Sequence, residues 1–251
     1  MEITEILNQC TVNDNIIKLP AMQLDREDYL QVKKKLEFIG GKWKGGKTQG
    51  FVFPQDPTDI FEEIKNGKNR NLKKEFQFFE TPAVLADELV RLSGLNIHHT
   101  VLEPSAGQGA IVKAIHRLYP LMPVACFELN ELNCKILSKM ENVHILANDF
   151  LNNAYTKFPE SVSCDRIIAN PPFSKNQDIE HIYLMYALLN EGGRMVSICS
   201  KHYLFCDNKK ETQFREWLNT VNAKVTDIPE GAFKESGTSI ATQIIEINKL
   251  S

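Results

Sequence analysis

From Thr81 onward, short apolar runs of strand length alternate with amphipathic runs of helix length, and few folds accommodate that order. Strands are expected over 100–103, 124–128, 143–147, 166–169, 194–199, 223–227 and 239–247. Helices are expected over 81–92, 108–118, 131–139, 179–189 and 212–218, the first opened by Thr81-Pro82 with proline in its first turn. A strand followed by a helix and then another strand closes most readily as a parallel pair with the helix packed over it. The last two strands lack an intervening helix, so an antiparallel pair is expected at one edge. The predicted class is α/β: a Rossmann-like, doubly wound, mostly parallel sheet with an antiparallel edge strand and helices on both faces.

The chain before Thr81 follows a different pattern, and a small N-terminal α+β unit is expected there. Residues 1–20 show little periodicity and read as an extended lead-in. After Asp25, an acidic first turn precedes Tyr29, Val32, Leu36 and Ile39 at helical spacing. Trp43 and the alternation at Phe51 and Phe53, split by Gly45-Gly46, predict a hairpin. A second short helix is expected over 57–67. The domain boundary is placed after a polar, basic linker, Lys68 to Lys74, giving units 1–74 and 75–251.

Charge sharpens that division. The whole chain of 251 residues carries a net charge of -3, yet residues 31–74 hold eleven Lys and Arg against five Asp and Glu. A basic segment in an acidic protein can hold a polyanion locally. Lys42, Trp43, Lys44 and Lys47 are the candidate nucleic-acid contacts, Lys33-Lys34-Lys35 adding to the patch. The six cysteines include no CxxC pair, and no histidines cluster. Neither a disulfide framework nor a bound metal is expected, and His98-His99 is given no metal role. No apolar run reaches the roughly 18 residues of a membrane span, and Met1-Glu-Ile-Thr-Glu-Ile lacks the features of a signal peptide, so a cytoplasmic protein is expected.

Ligands of open α/β sheets bind beyond the carboxyl ends of the strands. Three sequence features fall there. Leu102-Glu-Pro-Ser-Ala-Gly-Gln-Gly109 leaves the first strand, and Gly107 and Gly109 permit a tight turn and a close backbone approach. The third glycine of a dinucleotide loop is replaced by Val112, and no GxxxxGK[ST] run occurs. Glu128 ends the next strand, 21 residues beyond Gly107, where a carboxylate can accept from both hydroxyls of a ribose. Asp149 follows the third strand and can accept from an adenine amino group. A fourth feature lies past the fourth strand: Asn170-Pro171-Pro172-Phe173. The prolines lack N–H donors but keep their carbonyls. The Asn170 side-chain oxygen and the Pro171 carbonyl thus form paired acceptors beside an aromatic face, suited to a planar group bearing an amino group.

With these residues the chain resembles the class I S-adenosylmethionine-dependent methyltransferases that methylate amino groups, most closely the DNA adenine-N6 type. The resemblance spans about residues 78–247. It implies that the Thr81-Pro82 segment lies near the methionine end of S-adenosylmethionine and that Glu103, Ser105, Ala106 and Gly107 form the methionine-binding loop. It further implies a ribose contact for Glu128, an adenine contact for Asp149 and a catalytic turn of Asn170, Pro171, Pro172 and Phe173. Phe233 to Thr238 resembles a late loop near a flipped target base. The order of loop and turn is similar to that of the group with a C-terminal recognition domain, yet the core ends at about Ile247. Recognition is therefore expected from residues 1–74, from loops, or from a partner specificity subunit, with a homodimer also open. The implied function is restriction-modification-type methylation of adenine in DNA by base flipping. Structured RNA, a protein glutamine, and an inactive DNA-binding accessory remain the alternatives.

Overall fold

The computed structural model of the chain describes residues 2–53, 56–66, 80–156, 163–233 and 240–250. Two compact units emerge, Met1–Phe78 and Phe79–Ser251. The linker expected at 68–74 lies outside the described residues.

The first unit is richer than its sequence suggested. Residues 1–20 are not an extended lead-in but a helix, α1 (Ile3–Gln9), and a hairpin, β1 (Thr11–Asn13) and β2 (Ile16–Lys18). Ile3, Ile6 and Leu7 share one face of α1, and the hairpin turns at Asp14, whose φ of 51° suits the residue types that tolerate left-handed backbone. Helix α2 (Arg26–Phe38) begins where Asp25 accepts a hydrogen bond from the Asp28 amide at 2.8 Å. Strands β3 (Lys42–Lys44) and β4 (Gly50–Val52) form the expected hairpin, and α3 (Thr58–Lys65) follows. The four strands lie in the order β1-β2-β4-β3, so β4 bridges the two hairpins. Ile6, Leu7, Ile17, Val32, Leu36, Phe51 and Phe61 are buried together beneath them. Each such side chain contributes about 1.5–3 kcal/mol on leaving water.

The second unit is built on a seven-stranded sheet. In chain order its elements are α4 (Ala83–Ser93), β5 (Val101–Glu103), α5 (Ala110–Leu118), β6 (Val124–Phe127), α6 (Glu131–Leu137), β7 (Val143–Ala147), α7 (Phe150–Thr156) and β8 (Cys164–Ala169). A 3₁₀ turn, Ser174–Asn176, leads into α8 (Gln177–Leu188), β9 (Leu189–Ser200), a second 3₁₀ turn (Lys201–Leu204), α9 (Lys209–Thr220), β10 (Lys224–Asp227) and β11 (Thr242–Asn248). The strand order is β10-β11-β9-β8-β5-β6-β7, with β5 through β9 parallel. The antiparallel pair stands at one edge as expected, β11 running against both β9 and β10. Helix α7 was not foreseen, because it is short; among its described side chains Phe150 and Ala154 are buried in the core, with Leu151 packed against it.

Strand periodicity divides the core into two layers. Ile168, Val196 and Ile198 face one cluster with α4 and α5, while Ile167, Ala169, Met195 and Cys199 face another with α8 and α9. All six cysteines are free thiols. Among the described residues, no helix is long and apolar enough to cross a membrane.

Candidate active site at the carboxyl edge of the sheet

The parallel strands β5, β6, β8 and β9 end on one edge, and the loops that leave them carry the candidate residues. The loop after β5 must reverse within a few residues. Gly107 (φ 55°) and Gly109 (φ 76°) supply the left-handed backbone that the reversal needs, and Gly109 opens α5. A Cβ at Gly109 would also stand 2.9 Å from the Met140 thioether, which would have to shift, so the positive φ is the firmer reason for glycine here.

Glu128 ties this loop down. One carboxylate oxygen accepts from the Gly107 amide at 2.7 Å; the other accepts from the Asn130 amide at 2.7 Å and from Asn133 Nδ2 at 3.3 Å. The loop is pinned a second time where the Ala106 amide donates to the Phe127 carbonyl at 3.0 Å. Burial raises the Glu128 carboxyl above its ordinary value, while these donors oppose the shift. Glu103, at the end of β5, is the more extreme case. It is 2% exposed, and burial pushes its carboxyl well above the usual range, the Val112 amide opposing and nearby Glu128 adding to the rise. Among the described residues its Oε2 finds no hydrogen-bond partner. A buried carboxylate with an open acceptor is a costly arrangement unless a cation or donor completes it.

The turn after β8 is positioned from a distance. Asn170 Nδ2 donates to Thr81 Oγ1 at 3.0 Å, across 89 residues, so the carboxamide oxygen is the end turned away from Thr81. Pro171 is buried and Pro172 half-buried. Phe173 is 9% exposed and packs in the core cluster that includes Ala106, Ile168 and Phe233. Two successive non-glycine residues, Lys175 (φ 53°) and Asn176 (φ 58°), take left-handed backbone immediately afterward. Asparagine tolerates this backbone, but at Lys175 it is strained and persists only where surrounding contacts enforce it. Here Asn176 Nδ2 donates to the buried Glu211 at 2.5 Å.

Two further residues join the halves of the site. His181, on α8, lies 3.4 Å from Ser105 Oγ through Nδ1 and packs its ring against Phe150. Burial lowers its pKa to about 4, so the imidazole is neutral. Asp149 serves as the cap of α7, accepting from the Asn152 amide at 3.1 Å and from Asn152 Nδ2 at 2.7 Å. Its charge also reaches His181. Sequence reasoning passed over His181, Asn176 and Glu211, since a lone histidine or carboxylate on a helix carries no signal of its own. One cluster of metal-ligand types occurs among the described residues: His202, Cys206 and Glu211, within 4.8 Å of one another.

Thr81, Glu103, Ser105, Ala106, Gly107, Gly109, Glu128, Asp149 and the Asn170 turn all belong to the second unit, and most are linked by the contacts above. Lys42, Trp43, Lys44 and Lys47 lie in the first unit, exposed on the β3–β4 hairpin. Trp43 is 42% exposed, with Phe51 at 5.1 Å and Tyr29 at 6.5 Å against its ring. Of the late loop, only Phe233 is among the described residues through 238, and it is buried.

The architecture has solved counterparts. A protein from Listeria monocytogenes assigned to the class I S-adenosylmethionine-dependent methyltransferases matches with a TM-score of 0.54 at 10% identity, over 77% of this chain and 67% of that one. The fold is that of the class I methyltransferases. The type I restriction enzyme EcoKI M protein shares this methyltransferase fold, with a TM-score of 0.55 at 14% identity, over 90% of this chain and 55% of that one. In sequence, the chain is 32% identical over 114 residues to the type II methyltransferase M.AccI of Acinetobacter calcoaceticus. That match takes in 43% of this chain and 20% of the relative, so the chain spans about a fifth of that protein's length. No family model matches the chain.

Proposed function

We propose that this chain methylates the exocyclic N6 amino group of adenine in DNA, using S-adenosylmethionine and acting on a base swung out of the duplex. The observation that carries the reading is the Asn170 turn: a carboxamide oriented by Thr81, followed by two prolines, at the carboxyl edge of a class I methyltransferase sheet. The names of M.AccI and the EcoKI M protein add support.

The residues present fit the cofactor. Glu103, buried with an open acceptor oxygen, suits the ammonium of an amino acid, and Glu128 beside the Gly107 amide suits ribose hydroxyls. Thr81, Ser105, Ala106, Gly109 and Asp149 complete the proposed set. When bound, S-adenosylmethionine supplies an electrophilic methyl group. The chain's own residues act on the target. Adenine's amino nitrogen is a weak nucleophile because its lone pair is delocalised into the ring. Hydrogen bonds from that group to the Asn170 oxygen and the Pro171 carbonyl favour a tetrahedral nitrogen and stabilise the positive charge that develops on it. Holding the nitrogen in place removes much of the remaining barrier. A stacked base cannot reach such an edge, so flipping is required.

Lys42, Lys44 and Lys47, with Trp43, are assigned to DNA phosphates and their surroundings, which gives residues 1–74 a binding role and 75–251 the catalytic one. Sequence specificity is assigned to the first unit or to a partner subunit, and the cytoplasm is the setting that DNA modification implies. The test is to map N6-methyladenine in DNA from cells expressing the wild-type chain and an Asn170→Ala variant. A site methylated only by the wild type is expected. Unmodified DNA together with methyl transfer to cellular RNA would move the assignment to RNA.

A further inference from the structure

We propose that Phe205, with Leu204 beside it, is a wedge that enters the DNA duplex and fills the space left by the flipped adenine. The inference rests on the reading of the protein as a DNA adenine methyltransferase. Phe205 is 79% exposed and Leu204 43% exposed, whereas Phe173 of the Asn170 turn is buried. Removing an adenine from a duplex unstacks its neighbours, and an apolar side chain inserted in its place offsets part of that penalty. With Phe173 held in the core, Phe205 is the exposed aromatic at this edge among the described residues.

Its place in the fold agrees. Strands β8 and β9 are parallel neighbours, with Ala169 paired to Ser197. Asn170 therefore leaves the sheet beside Ile198, and Phe205 follows five residues after the end of β9. Helix α9 braces both. Its Glu211 accepts from Asn176, just past the Asn170 turn. One turn later, Arg215 donates to the Tyr203 carbonyl and, at 2.7 Å, to the Cys206 carbonyl, on either side of the 204–205 tip. A wedge must be rigid to transmit the displacement of a base, and these two bonds hold the backbone that presents it. The surrounding charge is mixed. Lys209 is exposed four residues after Phe205, Lys201 and Lys210 are paired to Asp227 and Glu180, and the exposed Asp207 is paired to Arg215. An exposed aromatic on a polar, charged rim with Lys209 open to a phosphate matches a duplex better than an apolar protein surface.

The experiment compares wild type, Phe205→Ala and Phe205→Trp on three DNAs carrying the site mapped in cells. These are a fully paired duplex, a duplex with an abasic position opposite the target adenine, and a single strand. The measured quantity is single-turnover methyl transfer. Phe205→Ala is expected to lose about ten- to a hundredfold on the paired duplex, the scale of one lost base–aromatic stack. It should approach wild type on the abasic duplex and the single strand, where the adenine is unpaired and costs less to extrude. Phe205→Trp should keep the duplex rate. An unchanged duplex rate in Phe205→Ala overturns the wedge, and so does an equal loss on all three DNAs. Wild-type protein that methylates none of the DNAs, or only RNA, overturns the underlying reading, and the wedge with it.

Discussion

The two units of the molecule handle charge in opposite ways. In the first, Lys42, Lys44 and Lys47 stand exposed on a short hairpin. In the second, the charges of the candidate site are hidden: Glu103 is 2% and Glu128 8% exposed, and burial raises both carboxyl groups. Exposed cations act at a distance and are screened by salt. Buried carboxyl groups act only on a group that enters the site, and they favour one that completes their hydrogen bonding, because leaving it out keeps a buried polar group unpaired. The contrast teaches that the hairpin is suited to gathering a polyanion, while the sheet edge is suited to choosing a small ligand and a target group.

Four variants probe that division. The largest effect is expected from Asn170→Ala, which deletes an acceptor without touching the carboxylates. Single-turnover transfer should fall by about 100- to 1,000-fold, the usual scale for one preorganised group acting on developing charge. Cofactor affinity measured by calorimetry should hardly move; transfer near the wild-type rate would reduce the turn to a structural one.

Next comes Glu128→Ala, which removes a charge-assisted partner and unties Gly107. Cofactor affinity should weaken by roughly tenfold or more. If a folded variant binds S-adenosylmethionine as well as the wild type, the buried charge has no part in ligand choice.

The hairpin is tested by neutralising Lys42, Lys44 and Lys47 together. DNA affinity should fall and the salt dependence flatten, by a slope of up to about 0.9 for each lost phosphate contact. Titrations at several salt concentrations with an unaltered slope would assign those lysines to solvent. Cofactor binding should stay as it was, which separates the two units functionally.

The smallest effect concerns His181. Its folded pKa of about 4 lies below the ordinary 6.5, so the unfolded chain binds the proton more readily between those values. The folded state is therefore fully favoured above about pH 6.5 and loses stability as pH falls toward 4. His181→Gln should flatten that acid-side decline in thermal melts. An identical pH profile would mean that the imidazole is not held neutral between Ser105 and Phe150.

Much of the second unit was legible because its signals are local. Alternating apolar runs identified the strands, and the positions of Gly107, Glu128 and Asn170 at strand ends followed from the class of fold alone. The first unit was harder to read. Residues 1–20 looked extended because β1 and β2 are three residues each, too short to show a period, and β2 finds its order by pairing with β4. Helix α7 went unseen for a similar reason.

By itself, the sequence determined the α/β class and the strand ends that carry the candidate residues, since backbone preferences and glycine or proline constraints act within a few residues. Only the tertiary structure decided how those residues are held. Thr81 orients Asn170 across 89 residues, Glu128 anchors Gly107 across 21, and Glu211 holds Asn176 across 35. Each of these bonds depends on which chain segments the folded core brings together. Burial likewise is a property of the assembled core: Glu103 and His181 acquire their shifted protonation, and Phe173 its enclosure where Phe205 remains exposed, from neighbours distant in the chain.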